Sequence, residues 1–152
     1  MSKATGVQII GTAGFNKGFL WNAKCRQERT YKEWIDSATE DELTQFIIDE
    51  VEVGMQGTGV RAGQVKSARA IIHQPAGNQD IRAACRAHLA TGARCIRTRR
   101  GTMGLEQLKY IREEGVDPHN VSFGHMDRNP DRGCTANWRK RARISASTAL
   151  PK

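Results

Sequence analysis

The chain has 152 residues, of which 38% are hydrophobic and 26% are charged, and its formal net charge is +8. This length suffices for one domain with its own core, and the longest apolar runs are too short to cross a bilayer. The first residues lack the apolar core of a signal peptide, so we expect a cytoplasmic protein whose cysteines are free thiols.

The first third of the chain predicts a strand, a loop and a long helix. Residues 6–14 (GVQIIGTAG) combine an apolar run with glycines, which favours a buried strand followed by a loop. After an irregular stretch, Thr39 is a candidate N-cap, and Glu42 follows at the spacing of a capping box. Apolar residues then recur at helical spacing up to Val51, and Gly54 ends the pattern.

The rest of the chain alternates strands with helices. This alternation is typical of parallel βα units, either an open doubly wound sheet or part of a barrel. No glycine-rich nucleotide-binding motif accompanies it. The predicted elements are a strand at 57–66, a helix at 78–90 stopped by Gly92, a strand at 94–98, a helix from Thr102 to Gly115 and a last strand at 120–125.

Polar residues follow three of these strands at the ends where the sites of βα proteins form. Lys66 ends the second strand, Arg97 and Arg99 the third, and His125 and Asp127 the last. A neutral histidine binds zinc, and a lysine that has lost its proton can react with carbon dioxide to give a metal-bridging carbamate. Taken singly, these residues are better explained by structural roles: Lys66 as a surface lysine, His125 by a strand-end hydrogen bond and Asp127 by an Asx turn.

Several segments resemble the phosphotriesterase family of the amidohydrolase superfamily. The most specific are AGQVK at 62–66, GTMGLEQ at 101–107 and GHMDRNPD at 124–131, which follow the order of the family. The resemblance covers roughly two thirds of the chain and stops at Asp131. It implies a partial (β/α)8 TIM barrel of parallel strands with intervening helices.

The resemblance also implies the chemistry of a metal-dependent hydrolase. Members hold two divalent metals, usually zinc, and hydrolyse small-molecule phosphotriesters, lactones or related esters. By resemblance, Lys66 is the lysine that becomes carboxylated and bridges the metals, and His125 is a ligand histidine. Asp127 matches a position beside it that has no firm ligand role.

Other positions depart from the family. Its first-strand HxH motif and its last-strand aspartate are absent, and Arg99 lies near the place of another ligand histidine. An arginine side chain stays protonated and cannot bind zinc. Because a catalytic zinc site needs more protein ligands than Lys66 and His125, we expect this truncated chain to be inactive as a hydrolase.

The segment after Asp131 is basic and predicts a disordered tail at 132–152 behind a barrel domain at 1–131. A shifted reading frame explains it: with one permissible set of codons, a single inserted base changes residues 131–152 into DPWLHRELAKTGAHLCLDGIAK, a helix-then-strand pattern. The same operation changes KSARAII into KFGTGYN. We therefore expect disrupted reading frames at 67–77, 94–100 and 132–152.

Two alternatives remain. The first is a nucleic-acid-binding protein that uses the basic tail, in which Trp138 lies among basic residues and could stack on a base. A solvated or disordered tail explains the same charges. The second alternative is a half-barrel that completes itself by pairing with another chain.

Overall fold

The strands of the protein form one parallel sheet. A computed structural model describes residues 2–15, 30–67, 78–98, 104–124 and 143–144. Within these residues the sheet order follows the chain order, and all the pairings are parallel, which confirms the prediction of βα units. The strands are β1 Thr12–Phe15, β2 Gln64–Ser67, β3 Arg94–Thr98, β4 Val121–Gly124 and β5 Arg143–Ile144.

Helices lie in the connections from β1 to β2, from β2 to β3 and from β3 to β4. Irregular turns complete the described connections, namely a π-helical turn at Glu50–Gly54 and 3-10 turns at Met55–Gly57 and Pro118–Asn120. Within the described residues no helix is long and apolar enough to cross a membrane. The α-helices are α1 Ser2–Thr5, α2 Tyr31–Ser37, α3 Glu40–Asp49, α4 Gln79–Thr91 and α5 Gly104–Glu113.

The predicted start of α3 is confirmed in atomic detail. The Thr39 hydroxyl accepts the Glu42 backbone N–H at 3.2 Å, and the Glu42 carboxylate accepts the Thr39 N–H at 2.8 Å. This capping box satisfies two donors that a helix start leaves without partners. Thr30 and Glu33 build the same box on α2, where the sequence analysis predicted only irregular chain.

The helix predicted at 78–90 is also confirmed. It ends at Gly92, whose φ of +70° is a left-handed conformation that glycine adopts without cost. Asn78 occupies the N-cap position, but its side chain makes no capping hydrogen bond there. Ile81, Ala84 and other residues of one helix face are buried against the sheet and α3.

The core lies between one face of the sheet and the helices. An aromatic cluster closes it near β1: the rings of Phe15 and Phe46 stack at 6.0 Å, and Trp34 meets Phe46 edge-on at 4.9 Å. Cys85 and Cys95 are buried free thiols in this core, as expected for unpaired cysteines.

The first strand differs from its prediction. Strand pairing covers only Thr12–Phe15, and the apolar residues Val7, Ile9 and Ile10 before it are 58–66% exposed. The prediction of a buried strand at the start of residues 6–14 is therefore wrong, and strand pairing begins instead at Thr12, in the part predicted as a glycine loop.

The last strand also differs from its prediction. The strand predicted at 120–125 is present as β4, but Arg143 and Ile144 add a short fifth strand beside it, so β4 is not the last. This pair belongs to the segment predicted as a disordered tail, whose other residues lie outside the described part of the chain. For those residues, disorder stays a prediction.

Candidate functional site

Lys66 lies at the carboxyl end of β2, inside the sheet. It pairs with Gly14 of β1 on one side and with Ile96 of β3 on the other. Burial alternates along β2, with Val65 and Ser67 fully buried and Lys66 half-buried. Because successive strand residues point to opposite faces, Lys66 belongs to the face opposite the helices.

A glycine on β1 makes room beside Lys66. A Cβ atom on Gly14 would lie 2.3 Å from the Lys66 carbonyl oxygen, and the φ of Gly14 is +98°. The strands can therefore approach here because this residue has no side chain. Gly14 belongs to the segment predicted as a loop, and its role was not predicted because it depends on the pairing of β1 with β2.

A buried carboxylate also holds the β1 residue that pairs with Lys66. Glu50, which opens the π-helical turn after α3, is 7% exposed, and its Oε2 accepts a hydrogen bond from the Gly14 N–H at 3.4 Å. Its backbone carbonyl accepts from Ala62 N–H at 2.9 Å. Glu50 therefore ties the end of α3 to β1 and to the segment just before β2, the strand that carries Lys66. π-Helical turns of this kind often occur near functional sites.

A second buried polar pair fixes the other face of β2. The Ser67 hydroxyl donates a hydrogen bond to Asp80 at the start of α4, and both residues are fully buried. The pair connects the strand end to the helix that follows it, and it spans thirteen positions in the sequence. It holds the carboxyl end of β2 in place next to Lys66.

The other predicted site residues fall into two groups. His125, Asp127 and Arg99 lie outside the described residues, and so does the Arg97 side chain, although its backbone belongs to β3. Two histidines for which no site role was predicted make local contacts: His88 Nδ1 lies 2.7 Å from the Ala93 carbonyl oxygen, and His119 pairs with Asp117. The structure thus positions Lys66 and leaves its pairing with His125 a prediction.

The described residues do not by themselves form a metal-binding site. Within them, no three side chains from histidine, cysteine, aspartate and glutamate come together as a ligand group. Lys66 would contribute a donor only after carboxylation, and structural and catalytic zinc sites take several protein ligands.

Comparisons with known proteins agree on one family. The model of the phosphotriesterase family matches residues 1–138. The chain is 32% identical over 130 residues to the phosphotriesterase homology protein of Escherichia coli (strain K12), covering 82% of this chain and 40% of that protein. A phospho-furanose lactonase of Mycoplasmopsis agalactiae is 26% identical over 136 residues, with coverage of 82% and 36%. The crystal structure of a lactonase from Listeria monocytogenes matches with a TM-score of 0.84 and 43% identity, over 92% of this chain and 46% of that chain.

These matches confirm the predicted fold and family. The sheet and its helices correspond to part of the TIM barrel of these proteins, and the chain spans less than half of the length of each. The family match continues to residue 138, beyond Asp131, so the resemblance extends further than the motifs indicated. The chain belongs to the phosphotriesterase family.

Proposed function

We propose that this chain carries part of the active site of a metal-dependent hydrolase acting on lactones or phosphotriesters. Members of the family bind divalent metals and act on such small molecules. The observation that carries the proposal is the position of Lys66: half-buried, inside the sheet, at the carboxyl end of a parallel strand. That edge of a barrel is where active sites of this fold form.

In this proposal Lys66, once it has reacted with carbon dioxide, would be one of the residues that hold the divalent metals. The neutral amine forms a bond from Nζ to the carbon, and a proton leaves to solvent, so the product is an anionic carbamate with two oxygen donors. Gly14 and the Glu50 carboxylate support the proposal because they fix β1 against the strand that carries the lysine. His125, directly after Gly124 of β4 in the sequence, is the proposed second donor.

We also propose that the 152-residue chain has negligible hydrolase activity. The supporting observation is the donor set: within the described residues there is no cluster of three candidate metal ligands. Lys66 and His125 together remain short of a catalytic zinc site. A cytoplasmic location and the division into residues 1–131 and 132–152 accompany this proposal as predictions.

The nucleic-acid alternative receives no support from the described residues. Arg143 and Ile144, in the middle of the basic segment, pair with β4 in the sheet. A flexible basic arm has no need of such pairing. Binding to DNA that falls steeply with salt and disappears when residues 132–152 are removed would revive the alternative.

The activity proposal is tested with the purified full chain. We expect no hydrolysis of a γ-lactone or an aryl phosphotriester above the buffer rate, with or without added zinc, and less than one zinc per chain by elemental analysis after desalting. Zinc-dependent turnover, or two stoichiometric zinc ions per chain, would overturn it. Circular dichroism on the same sample establishes that the tested chain is folded.

The role of Lys66 has a separate test that does not need activity. We expect a carbamate carbon signal in NMR spectra after incubation with carbon-13 bicarbonate and zinc, and its loss in Lys66→Arg. Lys109→Arg is the matched control, because Lys109 is 73% exposed on α5 and should leave the signal unchanged. A wild-type spectrum without a signal, or a signal that persists in Lys66→Arg, contradicts the assignment.

A further inference from the structure

An acidic residue, Glu50, lies where the pattern of α3 predicts an apolar one. The buried residues of this helix recur at helical spacing, namely Leu43, Phe46 and Ile47. Glu50 follows Ile47 at the same spacing and is 7% exposed. Because a buried carboxylate lowers stability unless hydrogen bonds replace its contacts with water, its presence in this position indicates a role that an apolar side chain does not fill.

Glu50 contacts the two chain segments that meet beside Lys66. Its Oε2 accepts the Gly14 N–H at 3.4 Å, and Gly14 is the β1 residue that pairs with Lys66. Its backbone carbonyl accepts the N–H of Ala62, which lies just before β2, at 2.9 Å. The side chain of one residue thus holds β1, and its backbone holds the chain that leads into β2.

The backbone that Glu50 holds is the one that approaches Lys66 most closely. A Cβ atom on Gly14 would lie 2.3 Å from the Lys66 carbonyl oxygen, and the φ of Gly14 is +98°. Glycine reaches this conformation freely but reaches many others as well, so contacts from neighbouring residues have to fix it. The Glu50 carboxylate supplies such a contact at the Gly14 N–H.

We propose that Glu50 is a positioning residue for Lys66. By accepting the Gly14 N–H, its carboxylate keeps β1 close to β2 and fixes the backbone from which the lysine side chain extends. A side chain with a fixed base loses less conformational freedom when it becomes a ligand. The π-helical turn that begins at Glu50 agrees with this role, because such turns often occur near functional sites. The role rests on the proposed function, since it assigns Glu50 to the carboxylation of Lys66.

Two substitutions separate the length of the Glu50 side chain from its charge. Glu50→Asp keeps the charge but shortens the side chain by one carbon–carbon bond, about 1.5 Å, which takes the carboxylate out of hydrogen-bond range of the Gly14 N–H. Glu50→Gln removes the charge but keeps the length and an acceptor oxygen. A residue that acts by position is impaired by the first substitution and preserved by the second.

The first test measures amide hydrogen exchange, residue by residue, in NMR spectra of the full chain at one pH. We expect Glu50→Asp to speed exchange of the Gly14 and Lys66 N–H groups by about tenfold, because the strands separate locally once the hydrogen bond is lost. Glu50→Gln should exchange like the wild type. Unchanged exchange in Glu50→Asp, or an equal acceleration at Ile81 in the interior of α4, would overturn the proposal.

The second test uses the carbamate carbon signal of Lys66 after incubation with carbon-13 bicarbonate and zinc. The signal should fall by about fivefold or more in Glu50→Asp, because the lysine is displaced, and should persist in Glu50→Gln. Two controls should keep it: Glu52→Asp, an exposed glutamate of the same turn, and Ile47→Val, which removes one methyl group from the buried face of α3. A full signal in Glu50→Asp, or an equal loss in Ile47→Val, contradicts a positioning role.

The two measurements distinguish failure of this role from failure of the proposed function. A wild-type chain without the carbamate signal refutes carboxylation of Lys66, and the exchange rates then decide alone whether Glu50 fixes β1 against β2. A signal that is present in the wild type and intact in Glu50→Asp leaves the proposed function standing and overturns the role of Glu50. Circular dichroism melting establishes that each variant is folded. Should Glu50→Asp not fold, a folded Glu50→Gln decides: retained signal supports the role, and lost signal overturns it.

Discussion

Two regions hold α3 and α4 together by different forces. One is the apolar interior beneath these helices, and the other is a group of ion pairs above them. Below, Leu43 and Ile47 of α3 and Ile81 of α4 are fully buried. Above, the ends of α3 and α5 are linked through two arginines of α4. We call these surface groups the charged seam: Glu40, Asp41, Arg82, Arg86, Glu113 and Glu114.

The seam is dense but partly open to water. Arg86 lies 2.9 Å from both Glu40 and Glu114. Arg82 contacts Glu113 at 2.9 Å, and its guanidinium carbon lies 5.3 Å from the centre of the Tyr110 ring. The arginine side chains are 28% and 38% exposed. Water and salt therefore screen the seam, whereas nothing screens the aliphatic contacts below it. We infer that the interior sets the stability and the seam adjusts it with pH and salt.

The largest expected effect comes from the interior. Leu43→Ala should lower the free energy of unfolding by about 2–5 kcal/mol, because it removes fully buried methyl groups and leaves a cavity. Chemical denaturation measures this loss, which should be the same at low and high salt. Leu89→Ala, at an exposed position of α4, is the control and should change it by less than about 0.5 kcal/mol. Equal losses in the two variants would show that α3 is not packed as described.

A smaller effect is expected where a polar pair enters the interior. Ser67→Ala removes the hydroxyl that donates to Asp80, and a buried acceptor that loses a donor costs about 1–3 kcal/mol. Ser37→Ala is the control, since Ser37 is exposed and its hydroxyl bonds to the Trp34 carbonyl on its own helix. If both substitutions cost the same in denaturation experiments, the pair does not join β2 to α4.

Local signals were predictable from the sequence, and contacts that depend on sheet pairing were not. The capping box of Thr39 and Glu42 spans four residues, so it could be predicted directly, and the same pattern at Thr30 and Glu33 was available but overlooked. The strand at Arg94–Thr98 matches its prediction residue for residue.

The candidate site includes contacts that such local signals could not predict. The strand predicted at 57–66 placed Lys66 correctly near a strand end, although the observed strand covers only Gln64–Ser67. The close approach of Gly14 and the Glu50 hydrogen bond require the parallel register of β1 with β2, and no spacing in the sequence encodes it. The exposed residues 7–10 were predicted as buried because the apolar pattern specifies a strand without specifying whether a neighbour covers it.

The seam should respond to pH through Glu114. Burial of this carboxyl, whose side chain is 10% exposed, raises its pKa, but hydrogen bonds from Arg86 and Arg82 outweigh burial and lower the pKa below its usual value of 4.5. The folded state therefore binds the proton less readily than the unfolded state. The stabilisation is complete above the usual pKa and is lost as pH falls through the lowered one.

Glu114→Gln tests this directly. It should cost about 1 kcal/mol near neutral pH, since two guanidinium groups lose their shared carboxylate. The difference from wild type should shrink as the pH falls from about 6 to about 3, measured by denaturation at each pH. Glu113→Gln is the more exposed control and should cost less. If the difference stays constant with pH, protonation of Glu114 does not contribute to the pH dependence of the seam.

The smallest effect is expected at the margin of the seam. Lys109 lies 3.8 Å from Glu113 one turn along α5, and its side chain is 73% exposed. The lysine precedes the glutamate, which is the weaker order for such a pair, and Arg82 already binds the same carboxylate at 2.9 Å. Lys109→Gln keeps a similar helix propensity and should therefore change the free energy of unfolding by less than about 0.5 kcal/mol, a change that about 1 M salt abolishes. A loss above about 1 kcal/mol that survives high salt would mean that the seam behaves as part of the interior, and the contrast between the two regions would fail.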